Sequence, residues 1–156
     1  MATITFHELT PVPWFRDRRL TKALLIELFK KERTPLAEVS YILCDDEYLL
    51  QINRQFLKHD DYTDIITFDL SGEIGYRQTQ EPAPASTPKV AEIYISIERV
   101  ADNARQLKTE REEELRRVMV HGCLHLCGYK DKLNEEKAVM RKKEDQYLRL
   151  FKQRST

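Results

Sequence analysis

Residues 121–131, HGCLHLCGYKD, determine where this chain turns and where its chemistry lies. His121 and His125 are four residues apart, which on an α-helix places both imidazoles on one face, one turn apart. Gly128 follows the last turn, and a glycine there can adopt the left-handed conformation that reverses the chain. The reversal brings Asp131 back over the histidine face. The stretch therefore predicts a metal site at a helix end, with two nitrogen ligands, one carboxylate ligand and an open position for water.

Hydrophobic periodicity on both sides of this helix predicts strands that alternate with helices. Strands are expected at Thr3–Glu8, Ala37–Cys44, Thr63–Leu70 and Val90–Ile97. Helices are expected at Arg18–Lys31, Glu47–Leu57, Glu98–Leu107, Glu110–Cys127 and Asn134–Lys152. The last two strands are expected to form a hairpin with a long tip. We therefore predict a single domain over residues 1–156 that contains about four strands and five helices.

Local signals support several of these elements. Asp45 and Ser96 directly precede helical periodicity and are expected to cap the helices that follow them. The helix that begins near Glu110 has a strongly acidic first turn, which suits the positive end of the helix dipole. The basic run Arg141–Lys143 lies beside acids such as Glu144 and is interpreted as a solvated helix face.

The segment Ser71–Lys89 joins the two strands of the hairpin. It is polar, contains three prolines and has few large apolar residues, so we expect a mobile loop. A tolerated insertion is favoured over a flap that covers a substrate, because nothing in the sequence anchors the segment.

Composition limits the class of protein. Lys and Arg together number 26, as do Asp and Glu, so no global field attracts the chain to nucleic acid or to an anionic membrane. The first residues lack the pattern of a signal peptide, and no run approaches the roughly 20 apolar residues that span a bilayer. We expect a cytoplasmic protein without membrane contact, whose three cysteines are reduced thiols.

Two alternatives to an open histidine–carboxylate site are disfavoured. Cys123 and Cys127 are also four residues apart, but the helical angle points them away from the histidines, so packing is their expected role. A zinc peptidase needs glutamate directly after the first histidine, where this chain has Gly122. The remaining chemistry is hydrolysis by a metal-bound water, whose pKa a divalent ion such as zinc lowers toward neutrality.

The residues of the metal stretch resemble a known signature. HGCLHLCGY at 121–129 closely resembles the helix of the YbeY family of bacterial metal-dependent endoribonucleases, also called rRNA maturation factors. Upstream, NRQF at 53–56 with TDIITF at 63–68, and AEIYIS at 91–96, are similar to two further blocks of that family. Three blocks in this order are far more specific than one histidine pair.

The resemblance implies a function and partners. It implies an α+β fold: a single domain over residues 1–156, in which a small mixed β-sheet of about four strands packs with helices and the metal site lies at the end of a central helix. One bound divalent metal is implied as well, with zinc as the first choice and manganese or nickel as alternatives. It also implies an endoribonuclease that acts on ribosomal RNA in 3′-end maturation of the small-subunit RNA and in ribosome quality control. The expected partners are ribosomal RNA, the small ribosomal subunit, and a ribosomal protein or assembly GTPase. The alternative is a non-catalytic ribosome-assembly factor with a structural metal.

Two positions depart from the family pattern. Asp131 stands where most members carry a third histidine, and its harder oxygen ligand favours manganese more than an all-histidine site does. Leu57 stands where the family usually has an arginine considered important for activity. The neighbouring Lys58 and His59 are candidates for supplying that charge, with ordinary loop residues as the alternative.

One further pair of residues resembles family positions near the site. Thr63 and Asp64 are candidates for substrate binding, and a turn or cap at the start of a strand is the equally weighted alternative.

Overall fold

The structure is a computed structural model that describes residues 1–71 and 86–155. The strands in these ranges are β1 (Thr3–Glu8), β2 (Leu36–Cys44), β3 (Ile65–Asp69) and β4 (Lys89–Ser96). The helices are α1 (Arg18–Lys31), α2 (Asp46–Ile52), α3 (Ile97–Leu107), α4 (Arg111–Leu126) and α5 (Asn134–Ser155), with a π-helical turn at Asn53–Leu57. The predicted α+β class with a four-stranded sheet is confirmed. None of the described helices is long and apolar enough to cross a membrane.

The sheet is mixed and has the strand order β1-β2-β4-β3. β1, β2 and β4 run parallel, whereas β3 pairs with β4 in the antiparallel sense, with Ile65 opposite Ile95 and Thr67 opposite Ile93. The predicted hairpin of β3 and β4 is thereby confirmed. Within the described residues β3 is an edge strand, and its free edge faces the end of α4 that carries the histidines.

Helix α4 runs through the centre of the helical layer and packs on the sheet, on α3, on α5 and on α1. Its sequence allows this because residues on several sides are buried, including Leu115, Met119 and Leu124. Gly122 faces the sheet at a close contact with β3 and β4. A Cβ atom there would lie 3.1 Å from the Cδ1 atoms of both Ile65 and Ile93, closer than normal packing allows. The absence of a side chain at position 122 therefore sets the distance between α4 and the sheet.

The C-terminus of α4 ends as the sequence predicts. Gly128 has a φ of 103°, in the left-handed region where a side chain is strained. The amide of Tyr129 donates to the carbonyl of Leu124 (3.0 Å) and the amide of Gly128 to that of His125 (3.0 Å), which is the Schellman pattern. This turn directs the following residues back toward the helix.

The starts of two helices also confirm their predicted caps. The carboxylate of Asp45 accepts a hydrogen bond from the amide of Tyr48 (2.7 Å), and the hydroxyl of Ser96 accepts one from the amide of Arg99 (3.1 Å). Both bonds satisfy backbone donors that the first turn of a helix leaves free.

The predicted helix Glu47–Leu57 is confirmed in its extent, but its second half is π-helical. The α-helical pattern ends at Ile52, and the carbonyl of Asn53 accepts from the amides of Lys58 and His59, five and six residues later, where an α-helix uses the fourth. The side chain of Asn53 is buried and donates to the carbonyl of Asp61 (2.8 Å). This bond ties the wider turn to the loop that follows it.

The predicted mobile loop Ser71–Lys89 lies largely in residues 72–85, outside the described residues. Its described ends belong to the sheet. The hydroxyl of Ser71 accepts from the amide of Val90 (3.0 Å), and the ammonium of Lys89 pairs with the carboxylate of Asp69 (3.0 Å). The predicted loop therefore extends too far at its C-terminal end, because Lys89 already pairs in β4.

Replacing Gly122 with valine is expected to lower the free energy of unfolding by about 1–3 kcal/mol, because the new side chain overpacks the contact between α4 and the sheet. Urea denaturation measures the change. The control is Ala138→Val, which places the same side chain on an exposed face of α5. Valine has a higher helix propensity than glycine and a lower one than alanine, so propensity alone predicts a loss only in the control. A loss at position 122 no larger than the loss at position 138 would contradict overpacking.

Candidate metal centre

The structure brings His121, His125 and Asp131 together at the end of α4. The two Nε2 atoms lie 3.0 Å apart, and the Oδ2 atom of Asp131 lies 3.2 Å from that of His121 and 3.3 Å from that of His125. Neighbouring ligands of a tetrahedral zinc ion are separated by about 3.3 Å when the metal–ligand bonds are about 2.0–2.1 Å long. The three atoms are therefore spaced as ligands of one ion, and this set of residues could hold a metal.

The hydrogen bonds on the outer side of the two rings determine which nitrogen faces the site. Nδ1 of His121 donates to the carboxylate of Glu144 (2.7 Å), and Nδ1 of His125 donates to the carbonyl of Tyr129 (2.9 Å). A neutral imidazole carries one proton, so each Nε2 atom presents a lone pair. Two lone pairs and the carboxylate of Asp131 thus converge on one point, an arrangement that repels itself unless a cation lies between them.

A buried ion-pair network supports His121. The side chain of Glu144 is 7% exposed and accepts from His121 with one oxygen and from Arg117 (3.0 Å) with the other. Arg117 also donates to Asp145 (2.8 Å), whose side chain is 46% exposed. Interpreting this part of α5 as a solvated helix face is therefore wrong at Glu144, which turns inward toward the histidines.

The same network changes the protonation of His121. Burial lowers the pKa of the imidazole, but the hydrogen bond and charge of Glu144, together with the charge of Asp131, outweigh burial and raise the pKa above its ordinary value. The surroundings of this ring therefore favour positive charge on it or next to it.

A second network fixes the loop that carries the carbonyl bonded to His125. The hydroxyl of Tyr129 donates to Glu32 (2.6 Å), at the C-terminal end of α1. Glu32 also accepts from Lys143 (3.1 Å) and from the hydroxyl of Tyr147. Burial alone would raise the pKa of Glu32, but these three donors lower it, so the carboxylate stays ionised and holds α1, α5 and the loop together.

The cysteines take the other side of α4, as predicted. Cys123 is fully buried, and its sulfur lies 2.9 Å from the hydroxyl of Tyr41 on β2. Burial raises the pKa of the Cys123 thiol to about 12, so it remains protonated and packs as a small apolar group.

A groove along β3 opens directly onto the three candidate ligands. Of the residues proposed from sequence as substrate or charge candidates, His59, Thr63 and Asp64 line this groove, as does Leu57. Lys58 does not line it; its backbone is left-handed (φ 55°) and its side chain is exposed. The structure therefore places three of these four candidates along the groove that the histidines also line, and their roles stay predictions.

A cavity of about 390 Å³ lies on the other side of His121, between the start of β3, α4 and α5. Its wall includes Glu114, which is 5% exposed and which the sequence suggested only as part of an acidic first turn. The pKa of Glu114 is raised to about 7. Burial is the main cause, and the charges of Asp64 and Glu144 act in the same direction, whereas the charge of Arg117 opposes them. Burial also raises the pKa of Asp64. No local periodicity distinguishes Glu114 from its two acidic neighbours.

Comparison with known proteins identifies the family. Residues 4–152 match the family described as "Endoribonuclease YbeY". The chain belongs to the YbeY family. A protein named Endoribonuclease YbeY from Cytophaga hutchinsonii is 47% identical to it, over 88% of this chain and 87% of that protein. Another of the same name, from Flavobacterium psychrophilum, is 51% identical over 73% of this chain and 72% of that protein. The solution structure of a Thermotoga maritima protein superimposes with a TM-score of 0.61 at 30% identity, covering 98% of this chain and 93% of that one.

The resemblance to the YbeY family drawn from three sequence blocks is thereby confirmed. At the position where the family pattern has a third histidine, Asp131 places its carboxylate within 3.3 Å of both Nε2 atoms. The substitution therefore retains a potential ligand and changes its chemistry from nitrogen to oxygen.

Glu144→Gln is expected to weaken binding of a divalent metal by about 10–100-fold, because the amide no longer supplies a charged acceptor that orients His121. Competition with a chromogenic chelator measures the affinity. The control is Asp145→Asn, which removes the same charge from the next residue and from the other partner of Arg117. Equal loss of affinity in both variants would assign the effect to overall charge and not to the bond to His121.

Glu114→Gln is expected to stabilise the fold at about pH 8 and to change it little at about pH 4. In the unfolded chain Glu114 ionises near pH 4.5, whereas in the folded protein it keeps its proton to about pH 7. Between about pH 4.5 and pH 7 the folded state therefore binds more protons than the unfolded state. The free energy of unfolding of wild type falls as the pH rises through this range, by about 3 kcal/mol at most. Urea denaturation of both proteins at the two pH values tests this. A difference that does not depend on pH would contradict it.

Proposed function

We propose that this protein is a metal-dependent endoribonuclease that hydrolyses phosphodiester bonds in ribosomal RNA, in 3′-end maturation of the small-subunit RNA and in ribosome quality control. The observation that carries the proposal is the convergence of two histidine nitrogens and a carboxylate oxygen at the mouth of an open groove. Relatives that are up to 51% identical to this chain over the aligned residues are named Endoribonuclease YbeY, which gives the reaction class.

His121, His125 and Asp131 are the residues that would hold one divalent ion. When bound, such an ion supplies Lewis acidity, which polarises a phosphoryl oxygen and makes a water molecule more acidic near neutral pH. Glu144 and the carbonyl of Tyr129 keep both imidazoles in the orientation that binding requires. We propose zinc as the first choice, with manganese or nickel as alternatives that the oxygen ligand of Asp131 admits.

The surroundings of the three ligands suit a polyanion with unpaired bases. Lys132 lines the groove, and Lys137 and Arg141 line the cavity beside His121, so cations lie on both sides of the proposed ion. Tyr62 is 53% exposed in the groove and offers an aromatic face to a base. These groups provide a local site for RNA in a chain with a net charge of zero. Thr63 and Asp64 are the proposed contacts at the start of β3.

The balance of charge also bears on partners. Without a global positive field, the chain should bind free RNA weakly and with a shallow dependence on salt. We therefore propose that it reaches its substrate in the cytoplasm on the small ribosomal subunit, through contact with a ribosomal protein or an assembly GTPase.

A second candidate function follows from Leu57. The groove is lined at this position by a leucine, 43% exposed, where the family pattern has an arginine. An aliphatic side chain offers no charge to a phosphate. The alternative is therefore an assembly factor that binds ribosomal RNA without cutting it and in which the metal is structural.

His121→Ala is expected to reduce the cleavage of ribosomal RNA precursor by more than about 100-fold while the variant stays folded, because the ion loses a ligand and its coordination geometry. The matched control is His7→Ala, which removes an exposed imidazole from β1. Metal content, circular dichroism and cleavage are measured together, with and without chelator.

The outcomes separate the two candidates. The enzyme is supported if wild type cleaves RNA and His121→Ala does not. It is further supported if chelator abolishes the activity of wild type and a divalent ion restores it. Cleavage that survives chelator, or that persists in the folded variant, contradicts it. A wild type that never cuts but loses its fold when the metal is removed supports the assembly factor.

A further inference from the structure

The cavity beside His121 is built differently from the groove. Its lining combines the apolar side chains of Ile65, Val118 and Met140 with charged side chains. Two of the proposed metal ligands, His121 and Asp131, also line it. Apolar side chains together with a few polar groups are the usual environment of a bound heterocyclic ring.

Glu114 is the group in this cavity that lacks a partner. It is 95% buried by accessible surface, and no described residue hydrogen-bonds its carboxylate. Among the described residues no side-chain oxygen or nitrogen is both fully enclosed and unpaired, so the carboxylate oxygens of Glu114 are reachable from the cavity that it lines. A carboxylate that is largely buried keeps little of its hydration, and a ligand that brings donors would replace the lost hydrogen bonds.

Arg141 complements this carboxylate. It lines the same cavity from α5, its side chain is exposed, and it forms no ion pair with any residue in the described ranges. Arg117, by contrast, already donates to Glu144 and Asp145. Arg141 and Lys137 are thus the lining cations without an ion pair in the described ranges, and of the two the planar guanidinium offers the paired donors that match two acceptors on one base edge.

The spacing along α4 fits an extended nucleotide. Glu114 and His121 are seven residues apart, so they share a face of the helix, two turns or about 10 Å apart. This distance is too long for a proton transfer at the atoms held by the histidines. It suits a ligand whose phosphate lies at the histidines and whose base enters the cavity.

We propose that this cavity is a subsite for the guanine base of a nucleotide beside the scissile phosphate, with Glu114 and Arg141 as its specificity-determining residues. The inference rests on the proposed function, which places the scissile phosphate at the three ligands. Guanine alone among the RNA bases presents two adjacent N–H donors, on N1 and N2, which match the two oxygens of a carboxylate. Its O6 and N7 acceptors match a guanidinium.

Buried carboxylates could instead bind a second metal ion in this cavity. The structure disfavours this alternative. Asp64 and Glu114 both line the cavity, but Arg117 and Arg141 lie on its walls as well and repel a cation. Among the described residues, the group of three ligand atoms close enough to share an ion is His121, His125 and Asp131. The donors of guanine face no such repulsion.

The test uses the metal-loaded, full-length protein and an unstructured RNA pool with random sequence, and the ends of the products are sequenced. Wild type is expected to enrich guanine over adenine by about tenfold or more at one fixed position beside the cut. Glu114→Gln is expected to reverse the preference toward adenine, because a carboxamide offers one donor and one acceptor, as the adenine edge requires. Glu113→Gln is the control, since Glu113 pairs with Lys152 on another face of α4.

A binding arm keeps this inference separate from the proposed function. Titration of guanosine and adenosine 5′-monophosphates, followed by protein NMR, is expected to show tighter binding of the guanine nucleotide by wild type and not by Glu114→Gln. Cleavage without a base preference, or a guanine preference that survives in Glu114→Gln, overturns the subsite and leaves the endoribonuclease standing. If wild type does not cut RNA, the proposed function fails, and the nucleotide titration alone decides the subsite. A variant that binds fewer divalent ions per chain identifies a second cation site and overturns the subsite.

Discussion

The close packing of α4 against the sheet is the constraint on which the rest of this structure depends. The helix approaches β3 and β4 at Gly122, where a Cβ atom would lie 3.1 Å from two isoleucine side chains. His121 directly precedes this contact in the sequence. The position of the helix on the sheet therefore also sets the position of the first imidazole relative to the groove. Any side chain at this position, such as the glutamate that follows the first histidine in zinc peptidases, would require Ile65 and Ile93 to shift. The packing of the core and the identity of the site are therefore linked at one residue.

The orientation of the two imidazoles depends on the acceptors of their Nδ1 hydrogen bonds, which lie outside α4. Glu144 on α5 holds one imidazole, and a loop anchored through Tyr129 to Glu32 on α1 holds the other. Because both rings donate outward, their lone pairs face Asp131, and a cation is needed to offset three converging acceptors. The site thus depends on three separate helices, although all three ligands lie within one stretch of eleven residues.

The charge distribution explains how a chain of zero net charge can act on a polyanion. Lys132 lines the groove, and Lys137 and Arg141 line the cavity beside the three ligands. Glu114 lines the same cavity as a buried carboxylate with a pKa of about 7, which is unfavourable for folding above neutral pH. The proposed recognition of RNA in this member of the YbeY family is therefore local, and Leu57 and Asp131 are the positions where its site departs from the pattern that the sequence resembles.

The sequence by itself determined the features that depend on local periodicity: the strands and helices, the caps at Asp45 and Ser96, the turn at Gly128, and the approach of Asp131 to two histidines one turn apart. These follow from backbone geometry over a few residues, so no long-range contact is needed to infer them. Only the tertiary structure decided that α2 gives way to a π-helical turn, that Glu144 turns inward from a charged helix, and that Glu114 is buried while its neighbour Glu113 is not. Each of these outcomes depends on which distant element packs against the residue, and a pattern of charges along one helix does not specify that partner.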